Sequence, residues 1–285
     1  MAMREGEKRS AIKRSAGVTA FPVIPGYRFL QTIARSPKSE VHVALSTELG
    51  HNVAVKVLRT GPNASADSGE EERFDREGEL LTRIKHPAVV DIYDWGHGDD
   101  FRYIVTEYFA SGSLELRIRN LMTVRDSIDI FLQIAGALTS VHAAQLCHRD
   151  LKPANVMMRP DGRIVLIDFG LAKSMANASE LTNAGEIRGS PYYISPEQAE
   201  GSNVDQRSDL YSLGVMFFEM LTGTRPFRGS SVVTILQAHR NDPIPVLPDN
   251  LSQFQRLIDG LLAKEPGNRF PTAAAALGEL ARLKV

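Results

Sequence analysis

The chain has 285 residues, 43% of them hydrophobic and 24% charged, with a net charge of −1. This is the balance of an ordinary globular protein with length enough for a substantial core, and it gives no reason to expect nucleic acid or an anionic membrane as an obligatory partner. No run of 18 apolar residues offers an integral membrane segment, and the single cysteine, Cys147, excludes an internal disulfide framework, which suits a cytoplasmic location.

Residues 1–25, MAMREGEKRSAIKRSAGVTAFPVIP, are basic and rich in small residues and lack the apolar core of a signal peptide, so they are expected to form a flexible tail ahead of a folded domain over 26–285. From Tyr27 to Tyr108 the runs YRFLQTIA, VHVALST, VAVKVL, VVDIYDW and FRYIVTEY carry β-branched and aromatic residues between polar or glycine turns, the mark of strands. One helix is expected among them, EEERFDREGELLTRI, closed by His86-Pro87. Beyond Gly112 the pattern turns helical, in TVRDSIDIFLQIAGALTSVHAAQ, RSDLYSLGVMFFEMLTG, SSVVTILQAHR, LSQFQRLIDGLLA and TAAAALGELARL. A short strand pair, NVMMRPDGRIVLID, lies between the first two, turning at Asp161-Gly162. The expected architecture is α+β, with a small sheet half over 26–108 and a mainly helical half over 109–285.

Three polar clusters stand at strand ends: HRDLKPANV over 148–156, IDFG over 167–170, and the lysine of VAVKVL, Lys56. Taken singly, an Asp before Gly is most often a turn residue and a Lys in an amphipathic strand a solvated charge. Together they supply what phosphoryl transfer needs: a cation for phosphate oxygens, oxygen ligands for magnesium, and a carboxylate to orient a hydroxyl.

With these clusters, and with GSPYYISPEQA, DQRSDLYSLGVMFFEMLTGTRPF and LAKEPGNRF in the expected order, the chain resembles the protein kinase superfamily, in particular the bacterial serine/threonine kinases of eukaryotic-like type, from about Tyr27 to its C-terminus. The resemblance implies a bilobal kinase fold that uses ATP with Mg²⁺, or Mn²⁺ in its place. It also implies protein substrates, and a transient homodimer for autophosphorylation.

It further implies that Asp150 orients the substrate hydroxyl, that Lys152 balances charge on the γ-phosphate, and that Asn155 and Asp168 hold the metal. Lys56 would bind the α- and β-phosphates, steadied by Glu77 of the FxRE motif. Val41 and Ala54 would lie above adenine and Met157 below it. Thr106 would guard the back of the pocket, with the Glu107 and Phe109 backbones facing the base. Glu197 and Arg269 resemble the family's buried structural ion pair.

One departure stands out. The family's GxGxxG turn, whose glycines let backbone N–H groups approach phosphate, reads Ala34, Ser36 and Ser39 at its glycine positions, with Pro37 removing a further N–H. A pseudokinase scaffold is therefore the alternative to an active kinase. The active enzyme is preferred because Lys56, Glu77, Asp150, Asn155 and Asp168 are all present, and because the hydroxyls of Ser36 and Ser39 offer phosphate donors in place of backbone N–H. A small-molecule kinase is disfavoured by the segment of about 30 residues from Asp168 to Glu197, which ends in the SPE of a peptide platform. Arg149 is expected to pair with a phosphorylated Thr182 of that segment, or failing that Ser179, while Ser190 would hydrogen-bond Asp150 and Lys152.

Overall fold

The alternating residues of the first half fold into five strands: β1 (Tyr27–Arg35), β2 (Ser39–Ser46), β3 (Asn52–Arg59), β4 (Ile92–His97) and β5 (Phe101–Glu107). They form one antiparallel sheet in the order β1-β2-β3-β5-β4. The computed structural model describes residues 21–36, 39–60, 79, 82, 84–120, 122–169 and 191–283. The helix expected over 70–84 falls almost wholly outside them.

The period of two sets the core of this sheet. Val53, Val55 and Val57 point to one face, where Ala44, Phe101 and Val105 join them, with no exposure at any of the six. Each buried valine contributes about 1.5–3 kcal/mol. Ile24, at 3% exposure, belongs to the same core, and the Phe21 ring stacks on Phe29 at 5.6 Å and meets His42 edge-on. Residues assigned from sequence to the end of a tail thus cover one face of the sheet. Their apolar side chains, Phe21 and Ile24, carry that role.

Contacts divide the described residues into two units: those up to residue 82 with Asp91–Tyr108, and Ile84–Val90 with everything from Phe109 onward. The second unit contains α1 (Leu114–Ile118), α2 (Val124–Ala143), the hairpin β6 (Val156–Met158) and β7 (Ile164–Leu166), α3 (Pro196–Glu200), α4 (Gln206–Thr222), α5 (Val232–Asn241), α6 (Gln255–Leu262) and α7 (Ala273–Ala281). Thr123 caps α2 by accepting from the Asp126 N–H at 3.0 Å, and the helix buries Ile130, Phe131, Ile134, Leu138 and Val141 on one stripe.

α4 is buried all round from Ser208 to Met220, as the central helix of this unit must be. Phe217 on it meets Phe131 of α2 at 4.7 Å and Phe254 at 5.7 Å. Gly214 lets α6 come close, since a Cβ there would lie 2.7 Å from the Leu261 Cβ. The stretch Ile84–Val90 joins this unit through β7: Leu166 N–H donates to Ala88 O at 2.9 Å and Val90 N–H to Leu166 O at 3.0 Å.

Candidate active site

The HRDLKPAN loop leaves α2 and is held at its first residues by one carboxylate. Asp209, in the first turn of α4 and 1% exposed, accepts from the His148 N–H and the Arg149 N–H at 2.8 Å each. The His142 Nε2 lies 2.8 Å from the same side chain. Arg149 adopts φ 61°, a left-handed conformation that costs a non-glycine residue about 1–2 kcal/mol. The loop keeps it there by using both its backbone groups, since Gln198 of α3 donates to the Arg149 carbonyl at 2.9 Å.

The His148 ring is wholly buried and stacks on Phe169 at 4.5 Å. Burial holds this imidazole below its ordinary value, so it is neutral at physiological pH. Its Nδ1 receives the Asp150 N–H at 3.4 Å, and the proton therefore sits on Nε2, which donates to Ile167 O at 3.0 Å. His148 thereby ties the HRD loop to the IDFG segment. Beside it, burial pushes the Cys147 thiol up to about 12, which leaves no thiolate to act as a nucleophile.

The Asp150 carboxylate is oriented from two sides. Lys152 Nζ donates to its Oδ2 at 2.8 Å, and Asn155 Nδ2 donates to the same oxygen at 3.0 Å and to the Asp150 carbonyl at 2.8 Å. The side chains of Asp150 and Lys152 each keep 18% exposure, enough for a hydroxyl from outside to reach them. The amide nitrogen of Asn155 is thus engaged, and its side-chain oxygen is the atom expected to meet the metal. Ile167 N–H donates to Asn155 O at 3.0 Å, so Asp168 directly follows a residue whose backbone is bonded to that of Asn155. Asp168 takes φ 54°, another left-handed non-glycine residue of the kind concentrated at functional sites. Two short oxygen-bearing side chains on these adjoining segments are of the kind that suits magnesium, which takes few protein ligands and fills its remaining positions with water and substrate phosphate.

In the first unit the register collects the expected nucleotide residues of the sheet on one face. Ala34 pairs with Val41, and Val41 with Lys56, in one cross-strand row; Ala54 pairs with Thr106 in the next row on the same side. This face is opposite the valine core. Phe109 and Met157 lie in the second unit, in an apolar cluster with Val90, Val165 and Ile167. Glu107 contributes main chain, its carbonyl 3.4 Å from the Thr106 hydroxyl.

At the glycine-less turn the two serines bond to each other. Ser36 N–H donates to Ser39 O at 2.8 Å, Ser39 N–H donates to Ser36 Oγ at 3.0 Å, and the two hydroxyls lie 2.9 Å apart. The Ser39 N–H is thus spent inside the turn. One hydroxyl proton at most is left over for a ligand. Arg35, at the same turn, has its Nε 3.6 Å from Glu40 Oε1.

Glu77, Ser174, Ser179, Thr182 and Ser190 lie outside the described residues. Arg149 lies within them, and its Nε is buried with no hydrogen-bond partner among them. Asp209 and Gln198, to which the sequence motifs assign no role, both hold the HRDLKPAN loop. A charged residue opening the apolar run DLYSLGVMFF was the available signal for Asp209, because a carboxylate buried there needs donors.

A family model described as protein kinase domain matches residues 27–279. The chain is 38% identical over 256 residues to the serine/threonine-protein kinase PknB of Mycobacterium tuberculosis, covering 86% of this chain and 41% of the relative. It is 36% identical to the probable serine/threonine-protein kinase PknB of Bifidobacterium longum, covering 87% and 38%. Against a probable serine/threonine-protein kinase of Clostridium perfringens the identity is 35%, covering 90% and 38%. The chain spans about two fifths of the length of these curated relatives.

Proposed function

The chain belongs to the protein kinase domain family, and from that premise we propose that it transfers the γ-phosphate of ATP to serine and threonine hydroxyls of protein substrates. The observation that carries this reading is the Asp150 carboxylate, held by Lys152 and Asn155 and open to a substrate hydroxyl. The hydroxyl oxygen attacks the γ-phosphorus, the bond to the β-phosphate oxygen breaks, and ADP leaves. Asp150 receives the hydroxyl proton, a contribution of about 10²–10⁴ in rate. Lys152 moves with little cost from Asp150 to the charge building on the transferred group.

Asn155 and Asp168 are the proposed magnesium ligands, the metal supplying charge neutralisation between the phosphates. Lys56 is the proposed partner of the α- and β-phosphates, with Glu77 holding its stem, and Val41, Ala54, Thr106, Glu107, Phe109 and Met157 the proposed surroundings of adenine. Lys152 and the names of the relatives favour serine and threonine over tyrosine as acceptors. The domain limits proposed are 26–108 and 109–285, and the cytoplasm is the proposed location. Autophosphorylation within a transient homodimer belongs to the same proposal.

The test is incubation of the protein with ATP, magnesium and a general protein substrate, followed by phosphoamino-acid analysis. Phosphoserine or phosphothreonine that disappears in Asp150→Asn is the expected result. ATP binding without transfer to any substrate would instead support the pseudokinase scaffold.

A further inference from the structure

Next to the 3₁₀ turn Pro191–Tyr193 lies a cavity of about 340 Å³, lined by Tyr192, Glu219, Thr224, Arg225, Arg228 and two glycines. Its one carboxylate is already engaged. Glu219 is 8% exposed, and it accepts from the Tyr193 hydroxyl at 2.5 Å and from Arg225 Nε at 3.2 Å. Against it stand two guanidinium groups, so the lining is net positive and a cationic side chain entering it would find no free partner.

The two arginines are set differently. Arg225 lies with its guanidinium 4.0 Å above the Tyr192 ring and its Nε also 3.3 Å from the Tyr193 hydroxyl, so its plane is fixed, and among the described residues its terminal nitrogens have no hydrogen-bond acceptor. Arg228 is exposed and donates its Nε to the Arg225 carbonyl at 3.3 Å, which links its position to that of its neighbour. A fixed fork beside a more mobile one is a receptor for a carboxylate, where hydrogen bonds to a charged group are strongest.

The location supplies the source of that carboxylate. Tyr192 follows directly on the segment that precedes SPE, the segment the family resemblance assigns to binding an extended peptide. We propose that this cavity reads an acidic side chain, aspartate or glutamate, of the protein substrate, with Arg225 and Arg228 as the residues that receive it; this rests on the protein kinase reading above. Substrates with lysine or arginine at the same place are rejected, because Arg225 already neutralises Glu219.

The experiment uses peptides with one threonine acceptor in a neutral background, in which Glu, Gln or Lys is placed in turn at each flanking position. Two quantities are read for the whole chain: kcat/KM, and, independently of turnover, binding by anisotropy of the labelled peptide. At one position Glu should exceed Gln by about tenfold, the scale of one charge-assisted bond, with Lys poorest. Arg228→Glu should reverse that order. Arg225→Gln, checked for folding by its melting temperature, should lower the Glu preference.

Equal kcat/KM for Glu, Gln and Lys at every position overturns the proposal while leaving the kinase reading intact. A Glu preference that survives both Arg228→Glu and a folded Arg225→Gln does the same. If no peptide is phosphorylated, the anisotropy order decides: Glu above Lys, reversed in Arg228→Glu, upholds the cavity and sinks the catalytic reading, and no order sinks both.

Discussion

Arg269 grips Glu197 with both ends of its guanidinium, Nη1 at 2.7 Å from Oε1 and Nη2 at 2.7 Å from Oε2, with no exposure on the arginine side chain and 8% on the glutamate. Its remaining N–H groups reach the carbonyls of Ala263, Arg207 and Lys264. The Ser208 hydroxyl also donates to Glu197. One planar cation thus joins α3, the start of α4 and the turn after α6, which a lysine's point charge would not do.

Glu197→Gln is expected to destabilise the protein by about 3–5 kcal/mol, because it leaves Arg269 charged and buried without its counter-ion. Burial alone would raise the Glu197 carboxyl, but Arg269 and Ser208 outweigh it and hold it below the usual range. A depressed carboxylate contributes its stability above the unfolded value of about 4.3 and loses it as pH falls through the lower folded value. Melting temperatures followed from neutral pH down to about 3 should therefore fall more steeply for the wild type than for the variant. Parallel profiles would contradict the assignment.

Lys56→Met and Asp168→Asn are each expected to abolish phosphotransfer while the far-ultraviolet circular dichroism stays that of the wild type. Each removes a charge proposed to act on phosphate or magnesium, and loss of a metal ligand costs several kcal/mol of transition-state stabilisation. Near wild-type turnover in either variant would sink the proposed roles.

Asp209→Ala leaves the His148 and Arg149 N–H groups and the His142 ring without their shared acceptor in a buried setting. At about 1–3 kcal/mol for each orphaned donor, a loss of several kcal/mol in denaturant unfolding is expected. Asp209→Asn retains one accepting oxygen and should lose less. A second readout separates positioning from stability: kcat of the folded Asn variant should fall at least about tenfold, because Arg149 is no longer held at its left-handed φ.

The turn at Ser36 and Ser39 supports a kinetic test. Replacing both by glycine removes the side-chain bonds of the turn and leaves only the backbone bond between the two residues, and KM for ATP is expected to rise severalfold with a smaller change in kcat. A fall in KM would show that closer backbone approach outweighs the serine contacts. No change would mean that this turn does not meet the nucleotide.

Arg149, whose Nε is buried with no hydrogen-bond partner among the described residues, is the proposed partner of a phosphorylated residue. Thr182, eight residues before Ser190, is the expected autophosphorylation site, with Ser179 the next choice. Mass-spectrometric mapping after incubation with ATP and magnesium should find phosphate there, and Thr182→Ala should lower activity in proportion. Phosphate confined to Ser10 or Ser15, with Thr182→Ala fully active, would defeat the proposal.

Much was legible from the residue order because it depends on short-range physics. Runs of β-branched and aromatic residues between turns announced β1 to β5, and the helical pattern beyond Gly112 announced α2 and α4. Asp150, Lys152 and Asn155 stand within six residues of one another, so their mutual hydrogen bonds follow from a single loop. The five-residue helices α1 and α3 escaped notice, since one turn and a half is too short for a hydrophobic period to show. What only the tertiary structure decided were relations between residues far apart in the chain. Asp209 is 60 residues from the Arg149 N–H it holds; Ile24 completes a sheet core whose strands lie further along the chain; and Ser36 and Ser39 spend their polar groups on each other once the strands they join are paired. Sequence pattern specifies which face of an element is apolar, but which partner satisfies a buried polar group depends on the packing of whole elements, and that is settled only when the chain has folded.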